Sequence, residues 1–113
     1  MVKYIPEQGD IVILTFDPQS GHEQKGRRPA IIVSNKTFNQ YLGLAFACPI
    51  TNTKRDFPFH IRYDGKNISG YIMTEQLKSI DYNTRKIKFV EKSDVDTMNQ
   101  ILGIIDSILE QNV

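Results

Sequence analysis

Two β-branched apolar runs, Asp10-Ile11-Val12-Ile13-Leu14-Thr15-Phe16 and Ala30-Ile31-Ile32-Val33-Ser34, are held apart by a polar, doubly basic connection. Runs this short and this rich in Val and Ile predict strands with buried faces. The connection from Asp17 to Arg28 spans 12 residues. Hairpin loops usually have about 2 to 5 residues, and longer irregular ones tend to be functional or disordered. Strands fixed on both sides favour function. Pro29 sets φ where the chain re-enters the sheet, so Arg28 stands at a defined exit from the loop.

The rest of the chain reads as further short strands. Phe16-Asp17-Pro18 ends the first strand, because proline donates no backbone hydrogen bond. Asn35 to Tyr41 places Phe38 and Tyr41 three apart, which predicts one short helical turn stopped by Gly43. Leu44 to Ile50 is an apolar run of seven bounded by Gly43 and Thr51-Asn52-Thr53, a central strand with Pro49 at its end or on a bulge. A basic loop from Thr51 to Pro58 follows, then strands over Phe59–Tyr63, Gly70–Thr74, Leu77–Ile80 and Ile87–Val90. Ser93 with Asp96 predicts a helix N-cap, and Val95, Met98, Ile101, Leu102, Ile105, Ile108 and Leu109 recur at helical spacing. That stripe is expected to be satisfied inside the core. About seven strands and one terminal helix imply a small curved barrel or sandwich with the helix packed on it.

Composition excludes several functions. A chain of 113 residues with 40% hydrophobic content is expected to be one domain, 1–113. No run of about 18 apolar residues is present and the first residues lack a signal-peptide stretch, so cytoplasm is the expected compartment. Cys48 is the sole cysteine, and with only His22 and His60 beside it no zinc set is expected. His22-Glu23 does not open a zinc-binding helix motif, since Gln24, Lys25 and Gly26 follow. No cofactor is expected. The net charge of +1 hides an asymmetry: residues 1–90 carry 13 Lys/Arg against 8 Asp/Glu, and residues 91–113 carry 1 against 5. A basic body is compatible with a polyanionic ligand, although an ordinary mixed surface would look the same.

Gly9-Asp10, Phe16-Asp17-Pro18, Gly21-His22-Glu23-Gln24, Gly26, Arg28-Pro29-Ala30, Pro49-Ile50-Thr51 and Glu75-Gln76-Leu77-Lys78-Ser79-Ile80 together resemble, in register, the MazF/PemK (Kid) family of toxin endoribonucleases. The resemblance implies an SH3-like β-barrel of the CcdB/MazF/Kid type, mainly β with a C-terminal α-helix. It also implies a homodimer, metal-independent and sequence-selective cleavage of single-stranded RNA as an mRNA interferase, and neutralisation by a MazE-like antitoxin. A growth-inhibiting toxin is the expected role. The alternative is a non-enzymatic inhibitor of gyrase or another protein, as in CcdB.

RNA chemistry makes the assignment reasonable, because the 2′-hydroxyl is itself a nucleophile. The protein must help remove its proton, protonate the departing 5′ oxygen and stabilise charge on phosphorus oxygens, leaving 2′,3′-cyclic phosphate and 5′-hydroxyl ends. Arg28 offers a planar fork of donors to those oxygens and stays charged, so electrostatic stabilisation is its first role and proton donation its second. An ion pair with Asp17 or Glu23 is the competing reading. Thr51 is its partner by resemblance, although a threonine at a strand end is more often a cap. His22 has the side chain suited to proton transfer near neutrality, and equally suits an exposed loop.

Glu23, Gln24, Lys25, Arg27, Lys54, Arg55, Glu75 and Gln76 are expected RNA contacts. Phe57 and Tyr82 are candidates to stack on unpaired bases, with core packing as the plainer role. The Kid-like branch carries an Arg-x-Asp pair with acid and base roles where this chain has Met73 and Glu75. Met73 cannot transfer a proton, so that arrangement does not carry over, though Glu75 remains able to act as a base. Cys48 and His60 read most simply as structural.

Overall fold

Successive side chains of β1 (Asp10–Thr15) enter two different apolar clusters: Ile11 one, Val12 and Leu14 the other. β2 (Arg27–Ile32) alternates the same way, with Ile31 in the first cluster and Ala30 and Ile32 in the second. Strands buried on both faces need unbroken apolar runs, which is why these segments do not alternate with polar residues. The structure is a computed structural model that describes residues 3–16, 26–55 and 57–112.

β1 and β2 pair antiparallel, with Leu14 opposite Arg28. β3 (Ala45–Thr51) lies on the other side of β2, and its far edge is shared: Ala45–Ala47 pair with β6 (Lys78–Ile80), Ile50 and Thr51 with β5 (Ser69–Met73). β4 (His60–Asp64) extends the sheet beyond β5, and β7 (Lys88–Lys92) flanks β1. The order is β4-β5-β3-β2-β1-β7, with β6 branching from β3 and every pair antiparallel. One strand serving two partners along one edge curls the sheet, and α2 (Val95–Ile108) covers its concavity by adding Met98 and Ile101 to the first cluster.

Several sequence expectations need correction. Pro49 lies inside β3, opposite Ala30, rather than at an end or a bulge. It is tolerated there because the pairing with β6 stops at Ala47 and that with β5 starts at Ile50, so no ladder on that edge asks for its missing N–H. The cap of α2 is Asp94, not Ser93: its carboxylate accepts from Thr97 N at 3.1 Å and Thr97 Oγ1 at 2.6 Å. Those bonds, the hydroxyl's above all, hold the Asp94 carboxyl below its ordinary range. Ser93 N is drawn back to Gly9 O at 2.8 Å, which leaves Ser93 with the sheet.

The apolar stripe of the helix is only partly satisfied internally. Met98 and Ile101 are buried, whereas Val95, Leu102, Ile108 and Leu109 are exposed. The expected turn after Ser34 is a seven-residue helix, α1 (Lys36–Leu42), capped by Asn35 and closed by Gly43 at φ 72°. Tyr82 is buried and donates its hydroxyl to Asn39 O at 2.9 Å, so it belongs to the core and offers no ring to a base.

Candidate active site

The ends of β2 and β3 place two polar side chains on one rim. Arg28 is the second residue of β2, exposed, and makes no ion pair with a carboxylate among the described residues. Thr51 closes β3 opposite Tyr71 of β5. Its Oγ1 accepts from Thr53 N at 3.2 Å, so the capping role is real. A hydroxyl has one proton as well as lone pairs, and the O–H of Thr51 remains available to donate.

β5 runs close beside Thr51 because residue 70 is glycine. A Cβ there would lie 2.6 Å from Thr51 O and 2.9 Å from Ile50 Cγ2, with backbone unable to yield cheaply. Gly70→Ala is expected to cost about 1–3 kcal/mol of stability by overpacking. Thermal unfolding of the variant beside wild type checks it.

Beyond β5 the chain makes a short 3₁₀ turn, Thr74–Gln76, pinned to the start of β4. Thr74 Oγ1 donates to Phe59 O at 2.5 Å. The turn thereby sets Glu75 over His60, whose Nε2 lies 3.0 Å from Glu75 Oε2. The histidine side chain is only 3% exposed and the glutamate 26%. Phe57 stands edge-on to the His60 ring, centroids 5.1 Å apart, and is half open to solvent.

These parts enclose a cleft of about 430 Å³ lined by Arg28, Thr51, Arg55, Phe57, His60, Met73, Glu75 and Gln76. Two guanidinium groups, a hydroxyl donor and an oriented carboxylate share one concavity, a set suited to gripping a phosphodiester and moving a proton beside it. Among the described residues no group of three His, Cys, Asp or Glu side chains is arranged to hold a metal ion. Burial, with the Glu75 charge adding to it, pushes the Cys48 thiol up to about 12, so it is no nucleophile near neutrality.

Arg28, Thr51, Arg55, Glu75 and Gln76 therefore meet in the cleft. Arg27 turns away: its guanidinium reaches Thr15 Oγ1 at 3.3 Å and Ile13 O at 3.4 Å on β1. Lys54 is exposed and is not part of the lining. His22, Glu23, Gln24 and Lys25 lie outside the described residues. Sequence reasoning missed His60 as a site residue. The alternation through Ile61 and Tyr63 put its side chain on the opposite face, but gave no sign that a turn fifteen residues later would fold over it.

Residues 7–109 match the pattern of the PemK-like, MazF-like toxins of type II toxin-antitoxin systems. The chain is 34% identical over 83 residues to the endoribonuclease toxin MazF of Escherichia coli K12, covering 74% of this chain and 75% of that one. It is 35% identical over 108 residues to the endoribonuclease PemK of Escherichia coli, covering 91% and 81%. The fold superposes on MazF (Form-I) of Deinococcus radiodurans with a TM-score of 0.84 at 33% identity, over 95% of this chain and 98% of the other. It also superposes on a MazE-MazF structure (Form-II) from the same organism with a TM-score of 0.83 at 27% identity, over 97% and 100%. The curled antiparallel sheet with its C-terminal helix, the cleft at the ends of β2 and β3 and the match across residues 7–109 make this chain a member of the MazF/PemK family of type II toxin-antitoxin toxins.

Proposed function

We propose that this chain is the endoribonuclease toxin of a toxin-antitoxin pair and cleaves single-stranded RNA, without a metal ion, in the cleft that holds Arg28 and Thr51. The observation that carries the reading is that these two side chains, from different strands and 23 positions apart in sequence, line one concavity. In the reaction the 2′ oxygen forms a bond to the adjacent phosphorus and the bond from phosphorus to the 5′ oxygen breaks. The 2′-hydroxyl loses its proton and the departing oxygen gains one, leaving cyclic phosphate and 5′-hydroxyl ends. Arg28 donates to the non-bridging oxygens as charge builds there, and the Thr51 O–H adds a second donor. Arg55 and Gln76 contact the strand on either side, and Phe57 offers a ring to an unpaired base.

Relatives named as endoribonucleases disfavour the reading as an inhibitor of gyrase. Complexes titled MazE-MazF support an antitoxin partner for this chain, and a cytoplasmic site of action follows from an mRNA substrate. Pairing into a homodimer is supported by an apolar groove of about 260 Å³ beside the cleft, where Phe59 and Leu77 meet Ile105 and Ile108 of α2 and Leu109 just after it. Among the described residues no helix is long and apolar enough to cross a membrane.

Purified protein is expected to fragment an unstructured RNA in EDTA and to spare the same sequence in a duplex, as read on a denaturing gel. Intact single strands after incubation with folded protein would overturn the proposal.

A further inference from the structure

We propose that His60 is a positioning residue of the cleavage reaction, holding Glu75 through Nε2 so that its carboxylate accepts the proton of the attacking 2′-hydroxyl. The inference rests on the endoribonuclease reading above.

Three observations carry it. The first is the asymmetry of burial: in the pair joined at 3.0 Å, the imidazole is covered and the carboxylate is open to the cleft. His60 is thus placed to act on Glu75, and Glu75 to act on a ligand. The second is the other ring nitrogen. His60 Nδ1 is buried and has no hydrogen-bond partner among the described residues. A proton on Nδ1 would be a buried donor without an acceptor, so the ring proton belongs on Nε2, where Glu75 accepts it. Buried polar side chains that serve packing alone are normally satisfied, and this one is satisfied only toward the cleft. The third is rigidity. His60 lies opposite Met73 in the β4–β5 ladder and against the Phe57 ring, and Glu75 sits on the turn that Thr74 pins to Phe59. Neither side chain needs to search for the other.

Donation from Nε2–H holds the carboxylate in one orientation over the cleft, and an ionised carboxylate is the form able to take a proton. The other titratable groups facing Glu75 are Arg28 of β2, Arg55 of the β3–β4 connection and the Cys48 thiol of β3, while α2 and the residue after it present Ile105, Ile108 and Leu109. The proton taken by Glu75 passes to water in the open cleft, and the 5′ oxygen takes its own from water.

The test is single-turnover cleavage of an RNA oligonucleotide with wild type, Glu75→Gln, His60→Leu, His60→Gln and Arg28→Ala. Binding of the oligonucleotide with a 2′-deoxy residue at the cleaved position is measured alongside. Glu75→Gln is expected to slow cleavage by about 100-fold and His60→Leu by about 10- to 30-fold, with binding changed by less than about threefold. His60→Gln restores an N–H and keeps at least about a third of the rate.

If wild type cleaves and Arg28→Ala is slowed by about 10²- to 10³-fold, a His60→Leu rate within about twofold of wild type overturns the role of His60 and leaves the endoribonuclease reading standing. Intact RNA with wild type overturns both. Should His60→Leu fail to fold, His60→Gln decides alone, since a loss as deep as that of Glu75→Gln with binding retained contradicts a positioning role.

Discussion

Arg28→Ala is expected to lower the rate of RNA cleavage by about 10²- to 10³-fold, the usual result of removing one preorganised donor from a developing oxyanion, while leaving the melting temperature nearly unchanged. Both halves follow from placement. Arg28 is exposed at the start of β2 and is held there by backbone pairing, with Leu14 opposite it. No core contact is lost when its side chain is cut back to Cβ. Arg27 is the internal control, because its guanidinium lies against Thr15 and Ile13 of β1 and outside the cleft. Steady-state cleavage with matched circular dichroism melts reads the two effects separately. A fall in rate that merely follows a fall in stability would contradict the assignment.

Asn39→Leu is expected to be the most damaging exchange outside the cleft, destabilising the fold by about 3–5 kcal/mol and lowering Tm by roughly 10–20 °C. Asn39 is fully buried in α1. Its Nδ2 donates to Pro6 O at 2.8 Å and Ser34 O at 3.1 Å, and its Oδ1 accepts from Ser34 Oγ at 2.5 Å. Ser34 Oγ in turn accepts from Phe46 N at 2.8 Å. One amide therefore ties the N-terminal segment, the end of β2 and the start of β3 together. Leucine has similar bulk but strands those three partners in the interior, where each unpaired group costs about 1–3 kcal/mol. Urea or thermal unfolding measures the difference, and a loss under about 1 kcal/mol would show that the partners find other bonds or water.

The strands were legible in the residues because their faces are buried on both sides. Ile11 and Ile31 feed one cluster while Val12, Ala30 and Ile32 feed the other, which leaves an unbroken apolar signature. Pro49 and Ser93 were misplaced for a different reason. A proline inside a strand is allowed only where a neighbour's ladder lapses, and a cap shifts by one residue when the preceding backbone N–H is claimed by the sheet. Neither fact is local. Exposure of Val95 and Leu109 was equally hidden, since helical spacing marks a face without saying what covers it.

Arg28 and Thr51 were singled out through the resemblance to the MazF/PemK family, and the register of β2 on β3 explains why both line one cleft. His60 had no such mark. Its place depends on Thr74 bonding to Phe59, a contact that brings a turn back over β4 and that no periodicity announces.

The central claim is that the cleft at Arg28 and Thr51 runs a metal-free attack of the 2′-hydroxyl on its own phosphate. Mapping the ends of every fragment produced from one long RNA in EDTA tests it most directly, with wild type and Arg28→Ala side by side. Wild type should leave 2′,3′-cyclic phosphate and 5′-hydroxyl ends at a recurring short sequence, and Arg28→Ala should leave nearly all of the RNA whole over the time in which wild type cuts it. Ends carrying 5′-phosphate, or the same cuts made by Arg28→Ala at a rate close to that of wild type, would contradict it.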